Sequence, residues 1–175
     1  MLKAFLPLAV ACVTAAGCAA MGGSGGPSAV GNLEPTKGNS TRGKVTFSQK
    51  GDRVRVTAEI SGLKPGGEHG FHVHEKGDCS SGDGMSAGGH FNPASRAHGN
   101  VHVGGDRHAG DLPNLKADGY GNASASFDVT GITVGSGAAD IVGKGLIVHR
   151  DPDDYKSQPA GNAGPRLACA VIARN

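Results

Sequence analysis

His72 and His74 flank a single valine, and His90, His98, His102 and His108 follow before Asp111. Six of the eight histidines therefore fall in one stretch that is otherwise rich in Gly, Ser, Asp and Asn. Imidazole nitrogens gathered with a carboxylate are the donors of transition-metal chemistry. In an extended strand alternate side chains share a face, so His72 and His74 point the same way and can grip one ion while Val73 faces the core. A helix would need its two histidines four residues apart, and Phe71 and Val73 favour a strand. From Glu75 to Gly110 there is no hydrophobic periodicity. A connection that long is functional or disordered, and a metal bound at several points can supply the folding free energy that apolar burial does not.

Strands must position those side chains. Lys44 to Gln49 alternates, Lys50-Gly51-Asp52 is a turn, and Arg53 to Ile60 alternates again with Val54, Val56, Ala58 and Ile60 on one face, which predicts a hairpin. Ser61 to Gly67 is a loop by its Gly and Pro, and it leads into the His72/His74 strand. Later strands are expected at Ala123–Val129, Gly143–His149 and Leu167–Ile172. With 31 glycines and no convincing helix, the fold class is all-β, a sandwich or barrel. The 175 residues suit one domain of ordinary size. A net charge of +2, with no basic run or aromatic platform, argues against a nucleic-acid partner.

Leu2 to Ala20 places one lysine ahead of a short apolar run ending in small residues, the pattern of an export signal and too short for a membrane span. Ala15-Ala16-Gly17-Cys18 has the form of a bacterial lipoprotein cleavage box, with Cys18 as the lipidated residue and membrane attachment through that lipid; a soluble exported form is the alternative. Residues 1–20 are thus read as the signal and 21–40 as a flexible tether rich in Gly, Ser and Pro, with the folded domain at 41–175. Cys79 and Cys169 remain. An even pair in an exported protein is most simply a disulfide, which would pin the histidine loop to the barrel wall. It closes about 90 residues, worth roughly 4 to 5 kcal/mol at most in the chain-entropy model. Two free thiols, or thiolate metal ligands, are the competing readings.

Four blocks in order carry a family resemblance: Gly70-Phe71-His72-Val73-His74-Glu75, Gly89-His90-Phe91-Asn92-Pro93, His108-Ala109-Gly110-Asp111-Leu112 and Gly161-Asn162-Ala163-Gly164-Pro165-Arg166-Leu167-Ala168-Cys169. Together they resemble the copper,zinc superoxide dismutases over residues 40 to 175. The resemblance implies a Greek-key β-barrel of about eight antiparallel strands with long metal-binding and electrostatic loops. It implies copper held by His72, His74, His90 and His149, and zinc held by His90, His98, His108 and Asp111, with His90 bridging the two and exchanging a proton. Arg166 would attract and orient the anionic substrate, superoxide, which is converted to O2 and hydrogen peroxide. Asp153 would link a copper histidine to a zinc histidine, fixing tautomer and ring orientation. His69, on the opposite strand face, is expected to serve as a hydrogen-bonding residue and His102 to be solvated.

Two departures from the family pattern matter. Only Tyr155 to Ala160 separates Asp154 from Gly161, shorter than the electrostatic loop of the eukaryotic branch, which leaves Lys156 as the candidate for its steering lysine. Ala160 stands where that branch has a threonine narrowing the channel. The short loop, export signal and placement of Cys79 are more similar to the bacterial periplasmic branch, which is monomeric or dimerises differently, so a homodimer cannot be carried over. A non-enzymatic copper or zinc delivery module would be expected to lack some of these residues, and this sequence lacks none. A zinc hydrolase is disfavoured by the closed four-ligand set.

Overall fold

The computed structural model describes Met1 and residues 25–175. The export signal, Cys18 and the first part of the tether lie outside the described residues. The described residues form ten strands: β1 (Ser28–Pro35), β2 (Arg42–Lys50), β3 (Arg53–Ser61), β4 (Glu68–His69), β5 (Phe71–His74), β6 (Leu115–Lys116), β7 (Ala123–Val129), β8 (Gly145–His149), β9 (Arg166–Val171) and β10 (Ala173–Arg174). Among the described residues the only helical element is one 3-10 turn at Met85–Ala87. The protein is all-β, as its alternation predicts.

Eight strands form one antiparallel sheet in the order β5-β8-β9-β1-β2-β3-β7, with β10 also on β1, while β4 and β6 make a separate short ladder. The run β9-β1-β2-β3 returns a late strand beside the first, as in a Greek key. In β3, Val54, Val56, Ala58 and Ile60 are all buried, and they meet Val45 and Phe47 of β2 inside the curl. Phe71, Val73, Leu146 and Val148 extend the same core beneath the histidines.

One expectation is corrected. The span 21–40, read as tether, contains β1, and the folded unit starts at Ser28 rather than at residue 41. Strand β1 pairs with β2 over six residues and with β9 at Glu34 and Pro35. Its inward side chains are only Ala29, Gly31 and Leu33, because the sheet packs tightly there. A Cβ at Gly31 would stand 3.0 Å from Leu146 Cδ2.

Candidate metal centre

The site is assembled where strands β5 and β8 meet the long loop. Strand β5 is buried on both faces: Phe71 and Val73 enter the core, and His72 and His74 face the loop. Its neighbour β8 pairs in register through Val148, then shifts at His149. Such an irregularity re-aims a side chain at a sheet edge. Backbone bonds stitch the loop onto β5: Phe91 N donates to Val73 O (2.8 Å), Val73 N to Gly110 O (2.9 Å) and Gly110 N to Phe91 O (2.8 Å). Any side chain at Gly110 would collide with the Val73 carbonyl, so the approach requires glycine. Isolated bridges then set His90 beside His74, and Asp111 beside His72.

Two four-residue cages result, His72, His74, His90 and His149 in one and His90, His98, His108 and Asp111 in the other. The donor atoms of each lie within 4.8 Å of one another, and all the residues are buried. In the first cage His72 Nδ1, His74 Nε2, His90 Nε2 and His149 Nε2 are buried without a hydrogen-bond partner. Four orphaned nitrogens aimed at one point are costly unless a cation satisfies them. Their opposite nitrogens are engaged: His74 Nδ1 with Gly88 O (2.9 Å), His149 Nδ1 with Gly164 O (3.0 Å) and His72 Nε2 with Asp153 Oδ2 (2.9 Å). Burial, with the charges of neighbouring groups, holds His74 well below the ordinary histidine value; burial first, and then His72, lowers His149 to about 3. His74 and His149 are thereby neutral ligands at physiological pH. Four imidazoles suit copper in either oxidation state.

The second cage is charged. Asp111 Oδ1 lies 2.8 Å from His90 Nδ1, 3.1 Å from His98 Nδ1 and 3.2 Å from His108 Nδ1. One carboxylate oxygen cannot accept well from three rings at once, but all four atoms can face a shared ion, and three nitrogens with one carboxylate form a closed tetrahedral zinc set. Asp111 is aimed by His108 N (2.8 Å) and Gly99 N (3.3 Å). Burial opposes its ionisation, but bonds from His108, His90 and His98 hold its pKa far below the usual carboxylate range. Burial likewise opposes charge on His98, yet Asp111 and Asp153 raise it to about 9. His90 belongs to both cages, presenting Nε2 to one and Nδ1 to the other; burial lowers it to about 4.

Asp153 joins the cages, accepting from His72 Nε2 through Oδ2 and from His98 Nε2 through Oδ1, each at 2.9 Å. A side chain at Gly161 would collide with that carboxylate, so this glycine leaves Asp153 its room. Two further residues escaped the sequence reading. Asn114 grips the Asp153 backbone at both N and O (2.9 and 3.0 Å), and Gln158 grips the His98 backbone at both N and O (2.9 Å each). Nothing in local pattern marks such amides. Cys79 and Cys169 are joined by a disulfide, 90 residues apart, which ties the loop to β9. Arg166 is half-buried and held by Nη1 to Gly84 O and Nη2 to Gly88 O, both 2.6 Å. Gly88 O therefore serves Arg166 and His74 together. His69 Nδ1 bonds His149 O (2.9 Å), the structural role expected of it, and His102 is exposed against the edge of Tyr155.

A family model described as copper/zinc superoxide dismutase matches residues 41–172. Superoxide dismutase [Cu-Zn] 1 of Aquifex aeolicus (strain VF5) is 42% identical over 134 residues, covering 74% of this chain and 79% of that protein. Superoxide dismutase [Cu-Zn] of Paramecium bursaria Chlorella virus 1 is 44% identical over 140 residues, covering 75% and 72%. Among solved structures, the clock protein EA4 is similar with a TM-score of 0.75 at 40% identity, covering 83% of this chain and 93% of that one. Two cages fitted to copper and zinc and sharing one imidazole agree with the family model and with both dismutase relatives, and the chain belongs to the copper/zinc superoxide dismutase family of oxidoreductases.

Proposed function

We propose that this dismutase works outside the cytoplasm, with Arg166 holding superoxide beside the four-histidine cage and His90 carrying a proton. The net reaction takes two superoxide ions and two protons to O2 and hydrogen peroxide. When bound, copper supplies the one-electron couple and zinc a fixed positive charge. The carrying observation is the set of four orphaned, convergent nitrogens with a guanidinium one shared carbonyl away. Arg166 spends two donors on Gly84 and Gly88, leaving others of its five for an anion. His90 can hold a proton at Nε2 while Nδ1 stays on the Asp111 side.

The Cys79–Cys169 bridge and the leader-like residues 2–20 support an oxidising, extracytoplasmic location, and the sequence at Cys18 supports a lipid anchor in the cell envelope. The deciding assay is superoxide disproportionation by the protein loaded with both metals. High parent activity, its loss in His149→Gln and a partial, salt-sensitive loss in Arg166→Ala are expected. An inactive parent retaining both metals stoichiometrically would favour metal delivery instead. Fatty-acid labelling of the expressed full chain against Cys18→Ser tests the anchor.

A further inference from the structure

The short loop 154–161 carries a single cation, Lys156. A surface cleft of about 720 Å³ lies on the outer side of the loop between Arg96, Val103 and Thr130, and touches only His108 among the ligands. A smaller cleft of about 300 Å³ is lined by Thr36, Lys37, Asp83, Met85, Gly164 and Arg166, among others. Its wall is one carbonyl from the copper cage, since Gly164 O receives His149 Nδ1. We propose that Lys37, not Lys156, is the residue that steers superoxide toward Arg166. This rests on the dismutase reading and adds a residue to it.

Lys37 is exposed, but its backbone is fixed to both walls of the cleft. Thr36 N donates to Leu167 O (3.0 Å) and Thr36 Oγ1 to Arg166 O (2.7 Å), while Lys37 N donates to Gly82 O (2.7 Å) on the disulfide loop. Lys37 is thereby anchored next to the segment that carries Arg166, with its exposed side chain lining the cleft. Lys156 does not line this cleft, and its own N donates to Asp154 Oδ1 (2.9 Å), so it sits beside an acid. Asp83 is the opposing charge on the same rim, its Oδ1 accepting from Met85 N (2.9 Å) and Ser81 Oγ (2.7 Å). An anion approaching the cleft meets Lys37 and Arg166 against Asp83. Fields of this kind raise encounter rates and are screened within about 8 Å at physiological salt.

The test is kcat/KM of the copper- and zinc-loaded protein from low to high ionic strength, together with its affinity for azide, a small anionic probe. Lys37→Glu is expected to lower both about two- to five-fold at low salt, with the difference fading as salt rises. Lys37→Arg should restore the parent values, Asp83→Asn should raise them, and Lys156→Glu should leave them near the parent. Equal kcat/KM and azide affinity in Lys37→Glu and parent, or a larger effect from Lys156→Glu, would overturn the assignment. Should the parent itself lack activity, the dismutase reading fails, while azide affinity still decides whether Lys37 governs anion approach.

Discussion

The two cages share His90 yet are built by opposite means. In the copper cage His72, His74 and His149 lie on paired strands, and the two rings that burial keeps neutral, His74 and His149, are oriented by backbone carbonyls. In the zinc cage His98, His108 and Asp111 come from irregular chain, and carboxylates hold them. A ladder fixes a side chain through hydrogen bonds that exist without the ion, whereas a loop without apolar burial needs the ion or its carboxylates to stay in place. The copper half should therefore be largely formed before metal arrives, and the zinc half should not.

The strongest challenge to that contrast is Asp111→Asn. Stoichiometric zinc should be lost, and hydrogen exchange should accelerate across residues 98–111 while β8 and β9 stay protected. Equal loosening of both halves would break the comparison. Next in size, replacing Cys79 and Cys169 by serine should lower stability in urea by up to about 4 to 5 kcal/mol, because the bridge fastens the loop to β9. A third change sharpens the boundary itself. Asp153→Asn should cost about 10- to 100-fold in zinc affinity measured by chelator competition. Copper should suffer less, since His72 keeps its place in β5 and His98 loses the carboxylate that aims its Nε2.

The smallest effect is the pH dependence of the metal-free protein, and its sign differs between halves. His98 is raised to about 9, so its contribution is complete below the unfolded value near 6.5 and disappears as pH rises through 9. His90 and His149 are lowered to about 4 and 3, so the fold resists their protonation and loses stability as pH falls below about 6.5. Asp111 and Asp153, depressed in the fold, stabilise above the ordinary carboxylate pKa and lose that contribution only in stronger acid. Melting temperature should peak near neutrality. The alkaline decline should vanish in His98→Gln or with zinc bound, and the acid decline should shrink in His149→Gln.

How well each half could be read from sequence follows from the same contrast. The period-two burial of Val54, Val56, Ala58 and Ile60 was plain in the residues, as was the pairing of His72 with His74. The zinc ligands were legible only by type and by family resemblance, because irregular chain has no period. Strand β1 was missed since its inward positions include Ala29 and Gly31, small residues that carry little apolar signal, and at Gly31 the room is taken by Leu146. Asn114 and Gln158 were invisible for another reason: each acts on backbone 39 or 60 residues away, and such distances leave no local pattern.

The position of β1 has a mechanical consequence. It lies in the middle of the sheet, bonded to β2 and β9, and its first residues are also clasped by β10, with Asn175 N donating to Ser28 O at 3.0 Å. A pull applied to the chain just before Ser28, along the strand axis, loads those ladders in shear, so many hydrogen bonds share the force instead of opening singly from one end. The strand that the amino-terminal sequence leads into is thus a strong point of attachment, and cutting the chain at residue 40 would remove the centre of the sheet rather than a spacer.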